Sequence, residues 1–171
     1  METWDAIRAR RNVRDYADRP IAAEDLDRIL EAGRRSPSSM NEQPWDFVVV
    51  VVRDRLGRLA QAWRYGDHLA GAAAGIAFVA AAADDPEQRE TNQFDIGQAV
   101  MSAMLAAADL GIGSCHSAVG DQALVRELLD IPTDRECVVL VSLGYPAGRP
   151  LAPIERPSRR PFDDVVHRDR W

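Results

Sequence analysis

Phe47 to Val52 is an unbroken apolar run, with the polar, proline-bearing stretch Ser36 to Trp45 before it and Arg53 after it. Such a run is best satisfied as a strand with both faces covered. Gly75 to Ala82, with Ile76, Phe78 and Val79, reads the same way and stops at the acidic turn Asp84-Asp85-Pro86. Val138 to Leu143 is a third, running into Gly144-Tyr145-Pro146. Strands buried on both faces need cover on both sides, so the rest of the chain must supply helices.

Helical spacing is present where it is needed. Trp4 and Ile7 share one face of a short first helix that ends near Arg8 to Arg14, and Arg19-Pro20 marks a turn. Ala23 to Arg35 places Leu26, Ile29, Leu30 and Gly33 on one side. Leu56 to Trp63 and Asp121 to Leu129 read as two shorter helices. The long stretch Asn92 to Leu110 carries Ile96, Ala99, Val100, Ala103, Met104 and Ala107 at helical spacing, and Gly111 and Gly113 end it. Its small residues allow close approach of another helix, at the centre of the core or at a dimer interface. The expected architecture is a single domain over residues 1–171 in which helices alternate with buried strands. From about residue 148 a Pro- and Arg-rich segment has little periodicity until Phe162, Val165 and Val166.

Composition removes several functions. All basic residues are arginine, so a Schiff-base lysine, a phosphate-loop lysine and a lysine general base are excluded. The net charge of −6 argues against a general affinity for nucleic acid. Cys115 and Cys137 are far apart and fit no zinc spacing, which suits a reduced cytoplasmic protein. The start carries Glu2, Asp5 and arginines where a signal peptide needs an apolar stretch. Leu69 to Ala83 is too short to span a membrane.

Within that acidic chain, Arg8, Arg10, Arg11 and Arg14 crowd one helix end. Read by itself the cluster is an ordinary solvated face; as a site, its planar forks match phosphate oxygens two at a time. Other stretches add to it. Arg10-Arg11-x-x-Arg14-x-Tyr16, then Ser36-Pro37-Ser38-Ser39-x-Asn41-x-Gln43-Pro44-Trp45, then Leu110-Gly111-Ile112-Gly113-Ser114 resemble the nitroreductase family in order and spacing. Leu143-Gly144-Tyr145-Pro146 is similar to that family's last core strand, and Arg159-Arg160-Pro161-Phe162-x-x-Val165-Val166 to its closing segment.

The resemblance implies an FMN-dependent oxidoreductase with an α+β, nitroreductase-like fold, a central mixed β-sheet flanked by helices, built as an intertwined homodimer with an extended C-terminal arm and flavin sites at the subunit interface. Carried over residue by residue, Arg10, Arg159 and Arg160 hold the FMN phosphate. Arg11 and Asn12 meet phosphate and ribityl oxygens, and Arg14 approaches N1 and O2 of the ring. Asn12 departs from the family, which usually has serine or threonine there. Pro37, Ser38, Ser39 and Asn41 approach the cofactor, the serine loop coming from the partner subunit. The loop Ser114 to Ala118, with Ser117 and Ala118 at its end, matches the place where backbone amides meet the ring. Trp45 is expected to pack into the core. Cys115 and His116 point apart as sequence neighbours and lack an orienting group, so a packed thiol is expected there.

The implied reaction passes a hydride from NAD(P)H through flavin N5 to a nitro compound, quinone or similar small-molecule acceptor, with no catalytic side chain beyond the support of Arg14 for the reduced ring. The stretch Trp63 to His68 is expected to help cover the substrate. Two other readings of the arginines stand beside this one: a flavin-binding sensor or store without turnover, and interface salt bridges with the acids of the chain.

Overall fold

The computed structural model describes residues 1–171. Nine principal elements follow one another: α1 (Thr3–Ala9), α2 (Ala23–Arg34), β1 (Asp46–Val50), α3 (Arg53–Leu59), β2 (Ala74–Ala81), α4 (Pro86–Asp109), β3 (Gly113–Ser117), α5 (Gln122–Leu129) and β4 (Arg135–Gly144). The strands form one sheet in the order β1-β2-β4-β3. Every strand pairing in it is antiparallel, and the parallel component expected of a mixed sheet is confined to an isolated bridge between Asn12 and Ser114.

The continuous apolar runs are two-faced because each face meets its own core. Along β2, Ala74, Ile76, Phe78 and Ala80 enter a cluster with Ile29 of α2 and Ile96, Ala99 and Met104 of α4. The alternate residues Ala77 and Val79 enter a second cluster with Leu56 and Leu59 of α3 and Val125 and Leu128 of α5. β4 divides likewise, with Val141 and Leu143 on the first side and Cys137 and Leu140 on the second. Trp45 lies in the first cluster, as expected.

The structure departs from the sequence reading in element bounds and in which helix faces are covered. α4 begins at Pro86 rather than near Asn92, because the Asp85 side chain caps the Gln88 N–H at 3.2 Å and the proline occupies the first turn, where it loses no hydrogen bond. The stretch read as a loop at residues 114–118 is mostly strand β3, pairing from Gly113–Gly144 to Ser117–Leu140. Its polar side chains hide it, since only the tertiary partner β4 makes it a strand. The small face of α4 is covered by its own chain: Ala99 and Ala103 approach Gly33 of α2. What α4 exposes is a different face, with Phe94 and Met101. On α1, Ala6 and Ala9 are buried while Trp4 and Ile7 face outward. No helix is long and apolar enough to cross a membrane.

Candidate functional site

The chain leaving α1 is laid along the ends of β3 and β4. The Val13 N–H donates to the Ser114 carbonyl at 2.9 Å and the Ala17 N–H to the Tyr145 carbonyl at 2.8 Å. Two glycines permit this approach. A Cβ on Gly113 would stand 2.7 Å from the Val13 side chain, and one on Gly144 would stand 2.7 Å from the Tyr16 ring. Val13 is thereby buried, and the flanking arginines are left to face two cavities.

The larger cavity has a volume of about 640 Å³, within the range of cofactor sites. Arg10, Arg11, Asn12, Arg156 and Arg159 form its basic side, and Ile96, Val100, Met104 and Val138 its apolar side. The tail reaches it through a bond from the Ile154 N–H to the Arg8 carbonyl at 3.1 Å and one from the Arg11 guanidinium to the Arg149 carbonyl. None of these arginines meets a carboxylate. Their side-chain bonds go to neutral oxygens: Arg10 to Asn12 Oδ1 at 3.3 Å and Arg159 to the Ser158 carbonyl at 2.7 Å. Elsewhere Arg28, Arg34, Arg35, Arg53, Arg58 and Arg135 all pair with acids. Burial and the like charge of Arg149 push the Arg11 guanidinium below its ordinary pKa. Like charges gathered without a counter-ion beside an apolar wall suit a ligand with an anionic group at one end and a planar apolar body.

The other residues singled out in the sequence are distributed differently. Arg14 lines a second cavity with Arg64, Tyr65, Asp67 and His68. Arg160 turns to the Asp164 carbonyl at 2.8 Å, outside the large cavity. Pro37 borders a shallow groove on the exposed face of α4 that shares Gln93, Gly97 and Met101 with the large cavity. Ser38, Ser39 and Asn41 lie in the turn before β1, where Met40, Asn41 and Gln43 take positive φ. The Ser38 hydroxyl accepts from the Gln43 N–H at 2.9 Å. Ser117 is buried at the end of β3, its hydroxyl 3.1 Å from the Ala118 carbonyl.

Residues not expected at the cofactor also matter. Asp95 is fully buried in α4, where it accepts from the Ser39 N–H at 2.9 Å and the Ser39 hydroxyl at 3.3 Å. Its signal was available, since it is an acid on the helical face that carries Ile96 and Ala99. His116 and Arg156 line the large cavity. Cys115 is a packed thiol: burial raises its pKa against the pull of Arg14 and Arg10.

Comparison with known proteins decides the family. The model of the nitroreductase family matches residues 7–145. The chain belongs to the nitroreductase family. A protein of Archaeoglobus fulgidus, named provisionally an NADH dehydrogenase/NAD(P)H nitroreductase, is 36% identical over 169 residues, covering 96% of each chain. The 4-nitrobenzoate reductase of a Nocardioides species is 28% identical over 97% of this chain and 90% of its own. Among solved structures, an FMN-dependent nitroreductase of Clostridium difficile superposes with a TM-score of 0.84 at 26% identity, covering 97% of this chain and 98% of its own. The fold of this family member is accordingly nitroreductase-like, with helices on an antiparallel sheet.

Proposed function

We propose that this nitroreductase-family chain is an NAD(P)H-dependent oxidoreductase that uses FMN and reduces a small acceptor such as a nitro compound or a quinone. The observation that carries this reading is the set of arginines without carboxylate partners, Arg10, Arg11, Arg156 and Arg159, on the basic side of a cavity whose opposite wall is apolar. Both ends of FMN fit that donor set, the phosphate at the guanidinium forks and the ring against the aliphatic side chains. Bound FMN supplies the hydride-accepting and hydride-donating ring.

The protein's part is positioning and electrostatics. Arg10 and Arg159 would hold the phosphate, Arg11 and Asn12 the phosphate and ribityl oxygens, and Arg14 would favour negative charge on the ring. The wall made by Ile96, Val100 and Met104 would keep water from the ring. Pro37, Ser38, Ser39 and Asn41 would complete the site from a second subunit, with Ser117 and Ala118 at the ring's edge and Arg160 beside Arg159. A homodimer supplies cover for Trp4, Ile7, Phe94 and Met101, all exposed in the single chain.

The test is the absorption spectrum of purified protein, followed by anaerobic titration with NADH and NADPH. A flavin spectrum bleached by either nucleotide, and restored by a nitro compound or quinone, is the expected result. Protein that takes up no FMN overturns the reading, and a flavin that neither nucleotide bleaches reduces it to a binding protein without turnover.

A further inference from the structure

The second cavity, of about 350 Å³, lies where Arg14 meets the segment between α3 and β2. Arg64 is held there over two rings, with its Cζ 4.8 Å from the centre of the Tyr65 ring and 5.3 Å from that of Trp63. The two rings stand edge to face at 6.2 Å. Aromatic faces attract the guanidinium but leave its N–H fork unused, and no carboxylate pairs with Arg64 or Arg14. Tyr65 is 66% exposed, so one ring face is open to a ligand.

The backbone beneath this exposed cluster is fixed at several points. A Cβ on Gly120 would stand 2.8 Å from the Trp63 ring, so the ring packs directly on that backbone. The Gly120 and Asp121 N–H groups both donate to the Ala62 carbonyl, at 2.8 and 3.0 Å. The Gly66 N–H donates to the Trp63 carbonyl at 2.8 Å, and a Cβ on Gly66 would stand 2.5 Å from the Ala60 carbonyl oxygen. Residues 62–66 are thus tied at both ends, which fixes the backbone that carries Arg64 and its two rings.

The charges specify the ligand. Burial first, then the positive charge of Arg14, lowers the pKa of His68, with Asp67 as the partial counterweight. Two arginines against one aspartate leave a single positive charge. Arg14 stands two residues from Asn12, which lines the large cavity, with the buried Val13 between them, and the Ser142 hydroxyl is bonded both to His68 and to the carbonyl of Cys115, the neighbour of cavity-lining His116.

We propose that this cavity is the acceptor subsite and that Arg64 and Tyr65 select planar aromatic acceptors bearing one negative charge, such as nitroaromatic carboxylates. Tyr65 stacks on the acceptor ring, and the Arg64 fork takes the carboxylate two oxygens at a time. The selection rests on the flavin-dependent reading of the larger cavity.

The test compares 4-nitrobenzoate with 4-nitrobenzamide, which differ in charge and little in shape, on the FMN-loaded protein. Calorimetry without reductant gives binding, and steady-state rates give kcat/KM. The wild type is expected to bind 4-nitrobenzoate more tightly, and Arg64→Gln to lose about tenfold to a hundredfold of that preference, as does kcat/KM. Arg64→Lys, which keeps the charge but not the fork, restores part of it. Tyr65→Leu weakens both ligands alike. An equal effect of Arg64→Gln on both ligands, or an effect confined to NADPH against NADH, overturns the proposal. Failure of the flavin reading looks different: neither acceptor is then reduced by any variant.

Discussion

His68 Nδ1 lies 2.7 Å from the Ser142 hydroxyl near the end of β4, joining the segment after α3 to the central sheet. The same hydroxyl is 2.7 Å from the Tyr16 phenol, whose proton goes to the Val13 carbonyl at 2.6 Å, and 3.2 Å from the Cys115 carbonyl. One serine therefore ties together the arginine segment, β3 and the wall of the second cavity. Burial pushes the Tyr16 phenol well above its ordinary pKa, so it acts as a neutral donor throughout the physiological range.

That chain makes stability sensitive to acid. His68 is depressed below its usual value of 6.5 in the folded state, so the unfolded chain binds the proton more readily. The contribution is fully present above pH 6.5 and is lost as pH falls through the folded value. Urea midpoints at about pH 7.5 and about pH 5.5 should differ more for the wild type than for His68→Gln, which keeps a polar partner for Ser142 but does not titrate. Equal differences would remove His68 from the account.

Gly144→Ala should destabilise the fold and weaken FMN binding together. The added methyl would stand 2.7 Å from the Tyr16 ring, and relieving that contact moves the segment that carries Arg14. Overpacking of this kind costs about 1–3 kcal/mol, to be read from urea unfolding. Gly148→Ala, which would meet nothing within 4 Å, is the control.

Asp95→Asn should loosen the serine turn. The carboxylate accepts from the Ser39 N–H and hydroxyl and from Gln98 Nε2 at 3.3 Å. An amide presents one donor where the site holds donors, and a buried bond to a charge is worth about 1.5–3 kcal/mol. Faster amide exchange at Ser39 and Met40, with a lower urea midpoint, is the expected outcome. Ser39→Ala, which keeps the backbone bond to Asp95, should cost less.

How far these features could be read from residues alone depends on where their cause lies. β2 and β4 were legible because Phe78 and Val141 on one face, and Val79 and Leu140 on the other, make both faces apolar. β3 was not, since Ser114, His116 and Ser117 become a strand only through β4. Of the residues expected at a cofactor, Arg10, Arg11, Asn12 and Arg159 could be placed together from the family resemblance, and the structure brings those four to one cavity. The separation of Arg14 into a second cavity follows from Val13 pointing into the sheet. Asp95 escaped notice because an acid on an apolar helix face gains its meaning from Ser39, a turn of chain 56 residues away.

Arg10→Ala should raise the FMN dissociation constant by about tenfold to a hundredfold, the loss of one charge-assisted bond. Arg35→Ala supplies the comparison. Its guanidinium is exposed and already paired with Glu31 at 2.6 Å, so its removal should leave FMN affinity within about twofold. Equal affinities for the two variants would remove Arg10 from the phosphate site.

The tail offers the sharpest test, because on the proposed reading it would join the cofactor to a second subunit. Ile154, Arg156 and Arg159 line the large cavity, yet the only backbone bond holding this stretch to the domain is the one from Ile154 to Arg8. Beyond it Phe162 is 65% exposed, Val165 49% and Trp171 99%. Ordering each residue costs about 1–2 kcal/mol of backbone entropy, and a single chain offers these side chains nothing to offset it. A bound phosphate at Arg159 and a second subunit under Phe162, Val165 and Val166 would both contribute, so cofactor and dimer should be coupled. Truncation after Gly148 is expected to lower FMN affinity and shift light scattering toward the monomer in the same preparation. A smaller change, Phe162→Ser with Val165→Ser, keeps Arg159 in place and should weaken the dimer first, with FMN affinity falling as the dimer dissociates on dilution. A truncated protein that remains a dimer with wild-type FMN affinity would refute this role for the tail.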